Sequence, residues 1–369
     1  MLKPLLLLLF LMPSVCLAQI NITGKIVSQD NKDPLDKTLV FFNNTKLSAV
    51  TGTDGSYIIK DIKPGQYILT VFKFGYRVYS RTILIDHTIE FQDIFLEPIP
   101  KLLEVIKYVE DFIHTRDLND FTKAFLGSTE NAEQCIILNP EVITLGYDAK
   151  ARVLSGSSKD FIQVANKALG YLIKYKLDTF YYTAKGRVHF EGLTLFDDLK
   201  GTPAQIKTWQ RNRREAYQGS SMHFFRSVIA NQLDYEGFKV LKLTRKINHD
   251  YTLKNNKPKT LSILDKKTHL AIPNFISRTN QRGLFALTFT DCLYIMYTKK
   301  HDYFNNNNLD LPPGAPSYPA STLTLTEPHV FFDNNGVITD PNSLIMEGMW
   351  GLSRIADLLP LDYEPSAAK

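Results

Sequence analysis

The sequence predicts two folded units: an N-terminal all-β sandwich, then an α+β domain with a helical hairpin and mostly antiparallel strands. Three observations point there. From Ile20 to about Pro100, short β-prone runs alternate with turn residues at close spacing. Beyond that stretch, half-buried strand patterns mix with helix signals. The length of 369 residues suits two domains at about 150 residues each.

Hydrophobic residues make up 44% of the chain and charged residues 22%, a globular balance that excludes a disordered or low-complexity class. The net charge of +5, from 43 basic and 38 acidic residues, falls far short of a nucleic-acid-binding stripe, so no nucleic-acid partner is expected. Basic residues do gather in Lys200 to Arg214 and Lys239 to Lys267. Each cluster reads as a solvated face or as a surface for a polyanion such as lipopolysaccharide.

At the amino terminus, Lys3, the apolar run Leu5 to Met12 and Cys16-Leu17-Ala18 read as a secretory signal cleaved after Ala18. The expected divisions are 1–18 signal peptide, 20–100 sandwich and 101–365 α+β domain. The expected location is the periplasm or the outer-membrane periphery. Nothing after the signal approaches the ~20 continuous apolar residues of a membrane helix. A lipidated Cys16 is an open alternative that the preceding Pro13, Ser14 and Val15 fit poorly. Once Cys16 leaves, Cys135 and Cys292 remain, as buried thiols or one long-range bridge. Neither has the neighbouring histidines of a zinc site, and no cofactor is expected.

Seven strands are expected in the first unit: Ile22 to Val27, Leu39 to Phe42, Lys46 to Gly52, Tyr57 to Ile62, Gly65 to Phe72, Ser80 to Ile85 and Glu90 to Leu96. Asp54-Gly55 signals a tight hairpin because its glycine accepts positive φ, and Pro64-Gly65 marks the next reversal. Tyr67, Leu69 and Val71 alternate with Gln66, Ile68 and Thr70, which gives that strand one apolar face.

Gly24-Lys25-Ile26-Val27, Thr51 to Tyr57, Ile62 to Tyr67 and Phe74-Gly75-Tyr76 together resemble the carboxypeptidase regulatory-like family. The resemblance covers about a fifth of the chain and implies a transthyretin/prealbumin-like sandwich. Similar domains precede the plugs of many TonB-dependent receptors in Bacteroidetes-type bacteria. Lys37-Thr38 departs from the small residues the family has before its second strand. The resemblance implies an accessory unit, since the zinc ligands of such carboxypeptidases lie in a separate domain. No His-Glu-x-x-His occurs in this sequence.

In the second unit Ile99 to Tyr108 reads as a connector and Asp111 to Phe125 as a helix stopped at Gly127. Cys135 to Leu138 and Val142 to Leu154 look extended, and Asp160 to Leu169 reads as a short helix. Tyr171 to Leu177 alternates as a strand that continues into a hairpin around Lys185-Gly186. Thr202-Pro203-Ala204-Gln205 holds a cap, a first-turn proline and a capping-box glutamine. The helix it opens ends at Gly219, and Ser220 or Ser221 caps a second helix that closes near Gly237. Strands resume at Lys239 to Arg245, Leu261 to Leu264, Leu284 to Tyr297 and Thr322 to Phe332. Asn305 to Asn308 and Pro312 to Pro319 read as a loop, either a lid or a flexible excursion. This region resembles uncharacterised Bacteroidetes envelope proteins through Ile137 to Pro140, Asn166 to Tyr171, Trp209 to Ser220, His223-Phe224-Phe225 and the tail Leu358 to Tyr363. That resemblance implies no activity.

The densest polar constellation is Asn212, Arg213, Tyr217, Ser220 and His223, which the two-helix turn brings near one another. As a site, Arg213 would hold an anion and His223 would act as a base toward Ser220 or a carboxylate, in a periplasmic hydrolase. As structure, Ser220 is a helix cap and the rings are packing residues. The expected catalytic set is therefore empty, and Asn212, Arg213, Tyr217 and His223 stand as ligand-binding candidates. The chain reads as a non-catalytic docking protein with an envelope protein or glycan as partner. Asp333-Asn334-Asn335-Gly336 is too broken a ligand run for calcium and reads as a turn.

Overall fold

The computed structural model describes residues 20–100, 115–250, 260–300 and 316–365. The expected signal peptide, Cys16, the first residues of the helix expected from Asp111 and most of the Asn305 to Pro319 loop lie outside them.

The first unit is a two-layer sandwich. One sheet holds β1 (Ile20–Ser28), β4 (Ser56–Ile62), β7 (Ile89–Glu90) and β8 (Ile94–Leu96). The other runs β3 (Ser48–Val50), β2 (Leu39–Phe42), β5 (Gly65–Phe72) and β6 (Tyr79–Ile85). Ile22, Ile26, Val40, Phe42, Leu69 and Val71 fill the space between the layers, all fully buried. At about 25 cal/mol per Å² of apolar surface this burial is the main force holding the layers together. The Asp54-Gly55 turn forms, with Gly55 at φ 74°. It joins strands of different sheets and so makes a crossover instead of the expected hairpin. A Cβ on Gly55 would lie 2.5 Å from the Ile26 carbonyl, which is why the corner needs glycine.

Among the described residues, the rest of the chain holds two large cores and a smaller cluster around Leu241, Tyr294 and Met296. The first is a six-stranded antiparallel sheet covered by helix α1 (Thr115–Leu126). Its strands are β9 (Cys135–Ile137), β10 (Ile143–Asp148), β11 (Val153–Ser158), β12 (Ile162–Asn166), β13 (Tyr171–Thr183) and β14 (Val188–Asp198). The stretch expected to be a helix at Asp160 to Leu169 is β12 and its turn. Ile162 and Val164 alternate with Gln163, and pairing to β9 and β13 overrides the local helix signal.

Helices α2 (Pro203–Tyr217), α3 (Ser221–Ile229) and α4 (Leu233–Glu236) follow. Tyr217 at the end of α2 belongs to the first core, whereas Phe224 and Phe225 of α3 belong to the second, so the helical corner bridges them. The second core lies against a five-stranded antiparallel sheet of β16 (Thr260–His269), β15 (Phe238–Ile247), β19 (Cys292–Tyr297), β20 (Ala320–Leu325) and β22 (Leu344–Gly348). A small sheet of β17 (Ile276–Arg278), β18 (Leu284–Leu287) and β21 (Val330–Asp333), with the one-turn helix α5 (Met349–Leu352), completes it. No helix among the described residues is long and apolar enough to cross a membrane.

The sandwich is packed onto the body. Phe41 is fully buried with Leu195 and Phe161, and the Phe72 and Phe161 rings meet edge-on at 5.0 Å. The β2–β3 turn lies along the free edge of β14: the Asn44 N–H donates to the Thr194 carbonyl, and the Phe196 N–H donates to the Thr45 carbonyl. An edge strand's unpaired groups are thereby satisfied by the neighbouring unit.

Candidate functional site

Helix α2 opens as its sequence requires. Thr202 and Gln205 form the capping box and Pro203 occupies the first turn. This start sets the phase of the helix, and the phase decides where its polar side chains point. The Trp209 indole N–H donates to the Lys167 carbonyl at 2.9 Å, and Asn212 Nδ2 donates to the Ala168 carbonyl at 2.8 Å. Arg213 donates to the Leu169 and Gly170 carbonyls at 2.6 and 3.0 Å. One helix face therefore holds the carbonyls of residues 167–170 in sequence, across the β12–β13 turn. Left buried and unpaired, the Ala168 and Leu169 carbonyls would each cost about 1–3 kcal/mol, whereas the Gly170 carbonyl also accepts the Leu199 N–H. Arg213 also pairs with Asp198 at 2.8 Å and stacks 3.7 Å from the centre of the Tyr171 ring. Gly170 completes the fit at φ 70°, where a Cβ would fall 2.1 Å from the Trp209 ring.

Tyr217 and His223 do come together, with ring centroids 4.7 Å apart. Gly219, at φ 85°, makes the corner between the helices, and Ser220 Oγ accepts the His223 N–H at 3.1 Å as the cap of α3. His223 is 4% exposed and is ringed by Tyr217, Phe238 and Tyr297. Its Nδ1 accepts the Gly219 N–H at 3.1 Å, so Nε2 carries the proton and faces Glu236 Oε2 at 3.1 Å. Burial holds the imidazole below its ordinary pKa, and the Glu236 hydrogen bond and charge oppose it. Lys299 stands 3.8 Å from the same carboxylate oxygen.

The four ligand-binding candidates thus divide into two pairs. Asn212 and Arg213 bind the chain's own backbone, and Tyr217 and His223 form an aromatic cluster at the seam of the two cores. Glu236, the carboxylate partner of His223, is not individually identified by the sequence reading. Its available signal is Gly237, which at φ 89° ends α4 directly after Glu236. Also unforeseen is an open cleft of about 730 Å³ beside α4, rimmed by Gln232, Asp234, Tyr235, Lys239 and His269. Its rim is assembled from segments too far apart in sequence to form a motif.

Among the described residues, no group of three or more His, Cys, Asp or Glu side chains is placed to hold a metal. Asp333 is committed to its own turn, accepting the N–H groups of Asn335 and Val337. Cys135 and Cys292 are free thiols, and burial pushes Cys135 up to about 12.

Residues 22–106 match the family model of the CarboxypepD_reg-like domain, so the N-terminal sandwich is a domain of that family. No curated protein matches the chain. Solved structures overlap it weakly. A DUF3823 family protein from Bacteroides ovatus is 9% identical over 49% of this chain and 100% of that one, at a TM-score of 0.18. A DUF3823 family protein from Parabacteroides merdae is 12% identical over 52% and 85%, at 0.17. A type II Cohesin-X-Dockerin complex from Acetivibrio cellulolyticus is 22% identical over 21% of this chain, at 0.20, and the overlap spans 56% of that structure's length. At these TM-scores the overlaps carry no argument, and the fold rests on the family model and the strand pairing.

Proposed function

We propose that this chain is an exported cell-envelope protein that acts by binding. In this reading the sandwich is a docking module and the body engages an envelope protein or glycan. The observation that carries the reading is the commitment of the polar constellation. Arg213 and Asn212 are spent on backbone carbonyls, Ser220 Oγ on a helix cap, and both His223 ring nitrogens on Gly219 and Glu236. A general base needs a free lone pair within reach of its substrate, and the Nδ1 lone pair of His223 is occupied. The accessory character of the CarboxypepD_reg-like domain supports the same reading.

Two measurements test it. Fractionation of cells expressing the tagged full chain places it in the envelope, and placement in the cytoplasm sinks the export half. Crosslinked pull-down from envelope extract returns one reproducible protein or glycan, whereas repeated capture of nothing specific overturns the binding half. A second reading, a hydrolase using His223 with Ser220 or a carboxylate, draws on the His223–Glu236 pair and requires the Gly219 N–H to release the Nδ1 lone pair when substrate binds. Peptide, ester and glycan substrate panels decide it: activity in the parent that His223→Ala abolishes establishes a hydrolase, and its absence removes that reading.

A further inference from the structure

We infer that the cleft beside α4 binds a neutral oligosaccharide, which names a ligand class and a site for the binding role proposed above and rests on it. The cleft exists because β16 stops short of the end of β15. The two strands pair as far as His269, opposite Leu241, and the Leu270 N–H then donates to the Val240 carbonyl at 2.8 Å. From there the chain turns away through Ile272–Asn274, whereas β15 begins three residues earlier than that pairing, at Phe238, with α4 packed against its start. The opening left between them measures about 730 Å³, within the range of small-ligand sites. Leu233, Phe238 and Val240 give it a buried apolar floor.

The rim carries the polar groups. Tyr235 is 76% exposed, far more than a packing residue. Lys299 Nζ lies 5.3 Å from its ring centre on one face, which leaves the other face to a ligand. The C–H groups of a sugar ring carry a slight positive charge, which the negative face of an aromatic ring attracts. Asn231 and Gln232 are exposed, and neither side-chain amide has a hydrogen-bond partner among the described residues. An amide both donates and accepts, as a sugar hydroxyl does. Asp234 Oδ1 accepts from Lys239 Nζ at 2.6 Å, so besides His269 the acid and the base of the lining offset one another.

That balance selects against a strongly charged ligand, because either ion would meet a like charge at the rim. An extended peptide pairing with β15 is the competing occupant. It would find only Phe238 to Val240 beyond the end of β16, with the Val240 carbonyl already taken, which is too short an edge for an added strand.

The test is calorimetric titration of the full chain with maltotriose, cellotriose and chitotriose. At least one is expected to bind with a Kd below about 1 mM, and its affinity is expected to hold steady as salt rises. Tyr235→Ala is expected to weaken that binding about tenfold, and Asn231→Gly with Gln232→Ala by a similar factor. The melting temperature should stay at the parent value, since all three side chains are exposed and glycine keeps the left-handed backbone of residue 231 at φ 55°. No binding of any of the three sugars overturns the inference, as does binding that ignores both sets of substitutions. Tighter, salt-sensitive binding of trigalacturonate overturns the neutral class. Capture of an envelope protein that Tyr235→Ala abolishes, without sugar binding, reassigns the cleft to a peptide. A chain that reaches the envelope and captures its partner regardless of these substitutions, while ignoring the sugars, removes this inference and leaves the proposed function standing. Sugar binding by a chain found in the cytoplasm sinks the export half alone.

Discussion

The backbone N–H of Lys46, in the β2–β3 turn of the sandwich, donates to Asp362 Oδ1 at 3.0 Å, 316 residues further along the chain. Around this bond the C-terminal tail forms a clasp. The Leu361 N–H donates to the Asn44 carbonyl, and the Arg226 guanidinium donates to the Leu361 and Tyr363 carbonyls at 2.8 and 2.9 Å. Sandwich, tail and helix α3 are thereby tied at one place.

Cutting the tail is expected to uncouple the units. The full chain should melt in one calorimetric transition, and a chain ending at Asp357 in two, with faster amide exchange along β14. Asp362→Ala alone is expected to cost about 1–2 kcal/mol. A truncated chain that still melts as one unit at the parent temperature would show that the Phe41, Phe161 and Leu195 contact suffices.

Arg213→Lys is expected to destabilise by about 2–3 kcal/mol, because an ammonium cannot reproduce the fork onto the Leu169 and Gly170 carbonyls or the stack on Tyr171. Denaturant unfolding reads this directly. A variant of parental stability that loses a captured ligand would instead make Arg213 a binding residue.

Gly170→Ala is expected to cost at least about 3 kcal/mol, adding left-handed strain to a collision with the Trp209 ring. Trp209→Ala in the same chain removes the collision, so the double mutant should show non-additive losses in a thermodynamic cycle.

His223 makes stability depend on pH in a definite direction. Its folded pKa lies below the ordinary 6.5, so the unfolded chain takes up the proton first. Its contribution is full above about pH 6.5 and is lost as pH falls from there toward the depressed folded value. The fall in melting temperature between about pH 7.5 and about pH 5.5 should therefore be smaller in His223→Gln, whose amide can both accept from Gly219 and donate to Glu236. Equal falls in both proteins would remove His223 as the cause.

Cys135 should resist alkylation at neutral pH in a chain with Cys16 and Cys292 replaced by serine, because a thiol pushed up to about 12 presents almost no thiolate. Labelling should become fast once denaturant opens the fold. Fast labelling of the folded chain would contradict the burial.

Much of the architecture was legible along the chain because it is written locally. Alternation in β5, the Asp54-Gly55 corner and the Thr202 to Gln205 capping box each act within a few residues, so strand, turn and helix start follow from sequence alone. The same locality misled at Asp160 to Leu169, where long-range pairing with β9 and β13 made a strand of an apparent helix. It also misled at Asp54-Gly55, where the turn was foreseen but its crossing between sheets was not. The sequence by itself brought Asn212, Arg213, Tyr217 and His223 into one neighbourhood. Only the tertiary structure decided that the first two would bind the carbonyls of residues 168–170 and the last two would close the seam between cores. The physical reason is that a polar side chain's partner depends on which backbone groups folding leaves unpaired, and those groups come from distant parts of the chain.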